Sequence, residues 1–413
     1  MLACVYGLVL LLTGLLALTS IWGISFAWYF RANRNLSRGN YAPKVCIILP
    51  LRGPDPYLKR CLHALAIQSY SNFLVYVVVD NEHDPARTVV EDVLRETNTE
   101  KVQLDFLREK PATCSLRSAA LIQAYNSLPE DWEVIVQTDA DAHPYPEWLN
   151  DLLAGLVNPE VGIACGFRWF SPHRPTLGSL VRHVWNCGAI TQMLVMKIGW
   201  GGSMAIKREA FDKANLRDKW SSALFDDNVT TKSILSCGYQ LKMVPRTAMI
   251  NEEDTDLRGC CVFIQRQILN IQLYHQSYPF VLFYSLFSAV VHTAMLIMVV
   301  LCFLCNEAIL GTQLIGIFIV YIMIQSISIW IGELLLKYRH RVDGRPPVRL
   351  SPITLPLAVC LTLIIYPYCV VMSLMTKSVT WRGITYTIRS PFEVQRENYE
   401  PFQASPQEVN KSL

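Results

Sequence analysis

Three things are missing from this sequence. It has no charged side chain between residues 3 and 29, no spacing among its thirteen cysteines that would hold zinc or frame a disulfide scaffold, and little net charge, +3 over 413 residues. The uncharged run is too long for a cleaved signal, whose apolar region has about 7–15 residues, and long enough for the roughly 20-residue helix that crosses a hydrocarbon core. Arg31, Arg34 and Arg38 follow the run rather than precede it, and basic flanks stay on the cytoplasmic side. The N-terminus is therefore expected outside and the segment after Arg31 inside. Cys302 and Cys305 have two residues between them but lie in an apolar stretch with no histidine nearby. The cysteines read as small buried hydrophobes in a reducing compartment. So small a net charge makes no case for a nucleic-acid partner, and the basic residues collect at membrane edges, where anionic lipid accounts for them.

What the chain has in abundance is apolar length. Hydrophobic residues make up 52%, enough for one sizeable soluble core and a long remainder. Further apolar stretches fall at 279–304, 308–336 and 351–376, each long enough to span. The expected organisation is an integral, multi-pass membrane protein. A membrane anchor covers residues 1–30, a soluble domain on the cytoplasmic side covers 42–255, and an amphipathic helix over 256–277 lies in the interface. Membrane segments follow over 279–376 and a tail over 377–413, and the basic loop Lys337–Arg349 is expected on the cytoplasmic side.

Within the soluble stretch, Val45 to Pro50, Phe73 to Val79, Val102 to Leu107 and Val134 to Gln137 are short apolar runs. Leu58 to Ile67, Ala86 to Glu96 and a segment starting near Ser115 carry helical spacing between them. Strand and helix alternating at this rhythm predict a parallel α/β sheet. The second run ends at Asp80, with Asp84 close behind, and the fourth ends at Asp139-Ala-Asp141. An isolated Asp-X-Asp is as readily a solvated turn or a helix cap. Two acidic strand tips on the same sheet edge, where open α/β sheets bind ligands, read instead as a nucleotide and metal site. Downstream, Gly199-Trp-Gly-Gly202 permits close backbone approach or a plain turn. Asp226-Asp227 stands at the start of a predicted helix, where it reads either as a cap on the dipole or as a general base.

In order, Pro50–Tyr57, Val79–Ala86, Asp139-Ala-Asp141, Gly202–Phe211, Asp226-Asp227 and Ser378–Tyr386 resemble the motifs of the membrane-bound family 2 glycosyltransferases, and among them the ceramide glucosyltransferase-like branch. The resemblance covers nearly the whole chain. It implies a GT-A, Rossmann-like nucleotide-sugar domain between one N-terminal and about three C-terminal transmembrane helices, a UDP-sugar donor and inversion at the anomeric carbon. It also implies Mg2+ or Mn2+ held by Asp141 with Asp139 in support, Asp80 or Asp84 on the uracil or ribose, and Arg117 and Arg266 toward the diphosphate. Asp227 is then the base that deprotonates the acceptor hydroxyl, with Asp226 as alternative, and the acceptor is a membrane lipid.

Two departures stand out. Aligned on Arg266, Leu269 and Asn270 occupy the places of the Arg-Trp pair of that family's interfacial helix, and the branch's histidine-proline has no counterpart between Trp185 and Met196. Two other functions remain open: a processive polysaccharide synthase, and a non-catalytic scaffold that only binds nucleotide sugar. Three spans after a cytoplasmic domain would also leave the tail outside, although its Trp381-Arg382 belongs near an active site. Pro352, Pro356 and Pro367 would allow the last stretch to turn back as a re-entrant hairpin.

Overall fold

A computed structural model describes residues 2–337 and 350–403 of the chain. Nearly all of the basic loop and the last residues of the tail lie outside the described residues. Helix α1 (Leu2–Asn33) leads to the soluble domain, where strands and helices alternate through β1 (Val45–Leu51), α2 (Leu58–Ala66), β2 (Phe73–Val79), α3 (Ala86–Thr97), β3 (Val102–Phe106), α4 (Leu116–Ser127) and β4 (Val134–Thr138). Then come α5 (Trp148–Ala154), β5 (Val161–Cys165), β6 (Arg168–Phe170), α6 (Leu177–Met196), β7 (Ser203–Lys207), α7 (Arg208–Lys213), α8 (Leu216–Trp220), α9 (Asp226–Ser236), β8 (Gln240–Met243) and β9 (Met249–Asn251).

Seven strands form one sheet in the order β3-β2-β1-β4-β7-β5-β8. The fold is the expected α/β class, but the sheet is not wholly parallel: β7 runs antiparallel to both β4 and β5. The chain crosses from β5 through β6 and α6 along the carboxyl edge and enters β7 from that edge. Thr138 thus faces Ser203, and the glycines before β7 lie beside the carboxylates after β4. Residues Val45 to Leu49 of β1 are fully buried because helices cover both faces, which is why the strand reads as an unbroken apolar run. Leu121, Trp220 and Ile234 pack on one face, and Leu62, Val90 and Leu152 on the other.

The helix over Leu177–Met196, which the sequence reading left without an element, packs against α10 (Leu257–Tyr274). Asp256 caps α10 by accepting from the Gly259 amide at 2.7 Å. One end of α10 contributes Leu269 and Tyr274 to the soluble core, and the other contributes Phe263, Ile264 and Ile268 to a core shared with the apolar helices.

Those helices are α11 (Tyr278–Leu304), α12 (Ala308–Leu335) and α13 (Thr354–Met375). With α1 they are the four long enough and apolar enough to cross a membrane among the described residues. No hairpin forms in the last stretch: α13 is one continuous helix through Pro356 and Pro367. A proline lacks one backbone donor, and here the helix tolerates that loss rather than reversing.

The tail returns to the soluble domain. Strands β10 (Ser378–Trp381), β11 (Ile384–Ser390) and β12 (Glu393–Arg396) form an antiparallel sheet, and Ile384, Tyr386 and Val394 join the soluble core. The β10–β11 turn has two residues, Arg382 at φ +49° and Gly383 at φ +75°. Positive φ at both positions is what a tight two-residue hairpin of this kind requires.

Candidate active site

The carboxyl edge of the sheet opens into a cavity of about 990 Å³. Asp80, Asp139, Asp141, Asp226, Asp227 and Arg266 line it together, so the predicted residues from separate segments do converge. The glycines serve close approach here: a Cβ on Gly202 would stand 2.6 Å from Asp139 Oδ2, and one on Gly201 would stand 3.2 Å from Asp226 Oδ2.

Two guanidiniums organise the carboxylates. Arg117 on α4 reaches Asp139 Oδ1 and Asp226 Oδ1, each at 2.9 Å, and the Gly201 carbonyl at 3.4 Å. Burial alone would lower its pKa, but Asp226 and Asp139 outweigh that and hold it up. All three guanidinium nitrogens of Arg117 are engaged, so it ties the two acidic loops together while lining the cavity. Arg168 was not foreseen at all. From β6 its Nη2 reaches Asp139 Oδ2 at 2.9 Å and Asp141 Oδ2 at 3.2 Å.

Asp141 also accepts from Asn251 Nδ2 at 2.8 Å. Its pKa is pushed up to about 7, first by burial, against Arg168 and with Asp139, Asp55 and Glu253 adding to the rise. Burial thus makes the charged form of Asp141 costly, and Arg168 is the cation that offsets it. Among the described residues no three His, Cys, Asp or Glu side chains gather as a metal cage. Two carboxylates fit a Mg2+ or Mn2+ ion, which commonly takes one or two from the protein and the rest of its oxygens from water and phosphate.

Asp80, buried at the tip of β2, lies opposite the end of β1 because Leu51 pairs with Val79. Its Oδ2 is ion-paired with Arg52 and its Oδ1 is buried without a hydrogen-bond partner. Asp84 does not face the cavity. It accepts from the Gly53 amide at 2.9 Å and the Ala86 amide at 2.8 Å, so it braces the two loops, and Asp80 is the one of the pair that lines the cavity.

Asp227 begins the first turn of α9. Its Oδ1 accepts from Asn270 Nδ2 and from the Asn228 amide, both at 2.7 Å. Burial and then the neighbouring Asp226 push its pKa up to about 6, while Asn270 opposes the rise. Arg266 forms no ion pair among the described residues and sits over the Trp381 ring at 5.5 Å. Burial, then Arg168 and Arg382, bring its pKa down to about 10. It is therefore a cation in want of an anion.

A model of glycosyl transferase family 21 matches residues 4–393. The chain belongs to glycosyl transferase family 21. It is thus a glycosyltransferase, and the family it joins is numbered 21 rather than the 2 of the resemblance. No curated protein matches it. Among solved structures, it is similar to mannosyltransferase PcManGT from Pyrobaculum calidifontis, in complex with GDP-Man and Mn2+, at 17% identity and TM-score 0.46 over 87% of this chain and 99% of that one. It is also similar to glucosyl-3-phosphoglycerate synthase from Mycobacterium tuberculosis, at 12% identity and TM-score 0.39 over 58% of this chain and 85% of that one.

No motif in the sequence singles out Arg168 or Arg52, and Asn270 stands out there only as a departure from the Arg-Trp pair, without its contact to Asp227. Arg52 was findable, since the next residue after β1 must emerge beside Asp80 in a parallel pair. Arg168 had no such signal, because β6 is three residues long and pairs with β9, far along the chain.

Proposed function

We propose that this glycosyltransferase moves a hexose from a UDP-sugar to the hydroxyl of a membrane lipid, ceramide-like or another glycolipid acceptor, with inversion. One observation carries the acceptor reading. The cavity that holds Asp227 continues between the apolar helices, where Trp22, Tyr284, Tyr321, Gln325 and Tyr366 line it. A headgroup hydroxyl can reach Asp227 while its chains stay among α1, α11, α12 and α13.

The divisions of labour follow from the contacts. Asp80 Oδ1, buried and without a partner, offers an acceptor to the donor base. Arg266, with no carboxylate partner, faces the diphosphate. Asp141 and Asp139 would hold Mg2+ or Mn2+, which when bound neutralises charge on the diphosphate leaving group. Arg117 keeps Asp139 and Asp226 in place. Asp227 takes the proton of the acceptor hydroxyl as that oxygen attacks the anomeric carbon, and a pKa near 6 leaves it mostly ionised at neutral pH while still basic enough to serve.

The test is to incubate the full-length protein in lipid nanodiscs with UDP-hexoses and a membrane lipid extract, then analyse both phases by mass spectrometry. The expected product is a lipid carrying one hexose, soluble in organic solvent. A water-soluble polymer would point to a processive synthase, and no turnover of any donor would point to a scaffold.

A further inference from the structure

We propose that the segment Glu393–Phe402, which follows the membrane helices, is part of the donor-base subsite, with Tyr399 a positioning residue that leaves Asp80 a single oxygen to offer. The inference rests on the donor reading above and adds how the base is chosen.

Three donors converge on one oxygen of Asp80. Arg52 Nη1 is ion-paired with Oδ2, the Tyr399 hydroxyl donates to it at 3.1 Å, and Asn81 Nδ2 stands at 3.4 Å. Asn81 also donates to the Tyr399 hydroxyl at 3.3 Å, which aims the phenolic hydrogen at Asp80. Oδ1 has no partner, though it is buried on a residue that lines the cavity. The same segment helps to fix Arg52, whose Nη2 donates to the Glu400 carbonyl at 2.7 Å, while its Nε donates to the carbonyl of Arg382 in the β10–β11 turn at 2.9 Å. Every guanidinium nitrogen is thereby engaged.

The segment is itself clamped. Cations of Arg52, Lys110 and Arg396 lie 5.6, 5.1 and 5.3 Å from the centre of the Tyr399 ring, each within cation–π reach. The Phe402 ring lies flat on Gly53, whose φ is +72° and where a Cβ would meet the ring at 2.6 Å. A glycine is needed there on both counts.

One free oxygen discriminates between bases. Uracil presents a single N3–H between two carbonyls, and Asp80 Oδ1 alone satisfies it. Guanine presents two adjacent donors, N1–H and the N2 amino group, which a carboxylate accepts with both oxygens. With Oδ2 filled by Arg52 and Tyr399, one guanine donor would be buried without an acceptor, and such a mismatch is heavily penalised.

Binding of UDP and GDP to the full-length protein in nanodiscs, measured by calorimetry beside steady-state kinetics with a UDP-hexose, tests this. Wild type should prefer UDP. Tyr399→Phe keeps the ring and its cations but loses the hydroxyl, and should raise the UDP Kd about tenfold while changing the GDP Kd less, so the preference narrows. Donor KM should rise with it, and kcat at saturating donor should stay within about twofold, the pattern of lost ground-state binding. Gly53→Ala, which pushes Phe402 away from the other side, should narrow the preference in the same way. An unchanged UDP-to-GDP ratio in Tyr399→Phe overturns the inference and leaves the donor reading standing. Equal losses for both nucleotides with a lowered melting temperature also overturn it, because Tyr399 would then be only a prop. Wild-type protein that binds neither nucleotide removes the donor reading itself.

Discussion

Asn270 donates its Nδ2–H to Asp227 Oδ1 at 2.7 Å. The residue that departs from the resembled Arg-Trp pair thus contacts the carboxylate proposed as the base. With Asp227 as the proposed base its deprotonated form is the one that works, so kcat/KM should fall as pH drops through about 6. Asn270 favours the charged form. Asn270→Leu should therefore move the acid limb of the pH profile upward by about one unit, since a hydrogen bond to a charged group is worth roughly that much. A limb that stays in place or moves down would separate Asn270 from the base.

Asp227→Asn keeps the shape and an acceptor for Asn270 but cannot take a proton. Transfer should fall by about 10²–10⁴-fold, while the Kd for UDP stays close to that of wild type. Substantial turnover in this variant would reassign the base to Asp226.

Chelation with EDTA should stop transfer, and added Mn2+ or Mg2+ should restore it. Arg168, with its side chain 11% exposed, is the cation between Asp139 and Asp141. Arg168→Ala should destabilise the metal-free protein by about 3 kcal/mol, the scale of a buried charge left unpaired. Mn2+ should then raise the melting temperature of the variant more than that of wild type. Full activity after chelation would show that arginines alone neutralise the diphosphate.

The apolar helix α12 is fastened to the site through Glu333, which accepts from Trp169 Nε1 at 2.9 Å and stands 3.5 Å from His183 Nε2. Trp169 neighbours Arg168 on β6. Glu333→Leu should cost about 3 kcal/mol of stability, and Glu333→Gln, which keeps an acceptor, should cost about 1 kcal/mol. Thermal unfolding in detergent compares them.

The tail packs into the soluble core, which predicts an even number of membrane crossings between α10 and β10. Cysteines introduced at the exposed positions Glu130 and Gln395 should react with an impermeant reagent from the same side of sealed vesicles. Labelling from opposite sides would contradict the docked tail.

The parts of this architecture that repeat were legible in the sequence. Apolar runs closed by Asp80 and Asp139 betray buried parallel strands, and the long apolar stretches betray α1, α11, α12 and α13. The Asp226-Asp227 pair marks the start of α9, as expected of acidic residues near a helix dipole. The reversal of β7 was hidden because an antiparallel strand buried on both faces has the same composition as a parallel one. Arg168 was hidden, and Asn270 was visible only as a departure, because what each does comes from tertiary neighbours, Asp141 and Asp227, that no local pattern announces. The place of the tail was hidden because counting spans assumes that each apolar helix crosses.

The contact between Asp80 and Tyr399 joins residues 319 positions apart, one in the second strand to leave the ribosome and the other near the end of the described chain. The tail is made after α11, α12 and α13, so Arg52 and Asp80 are synthesised long before the segment that contacts them. A chain that ended within its last helix would therefore lack the Tyr399 contact to Asp80.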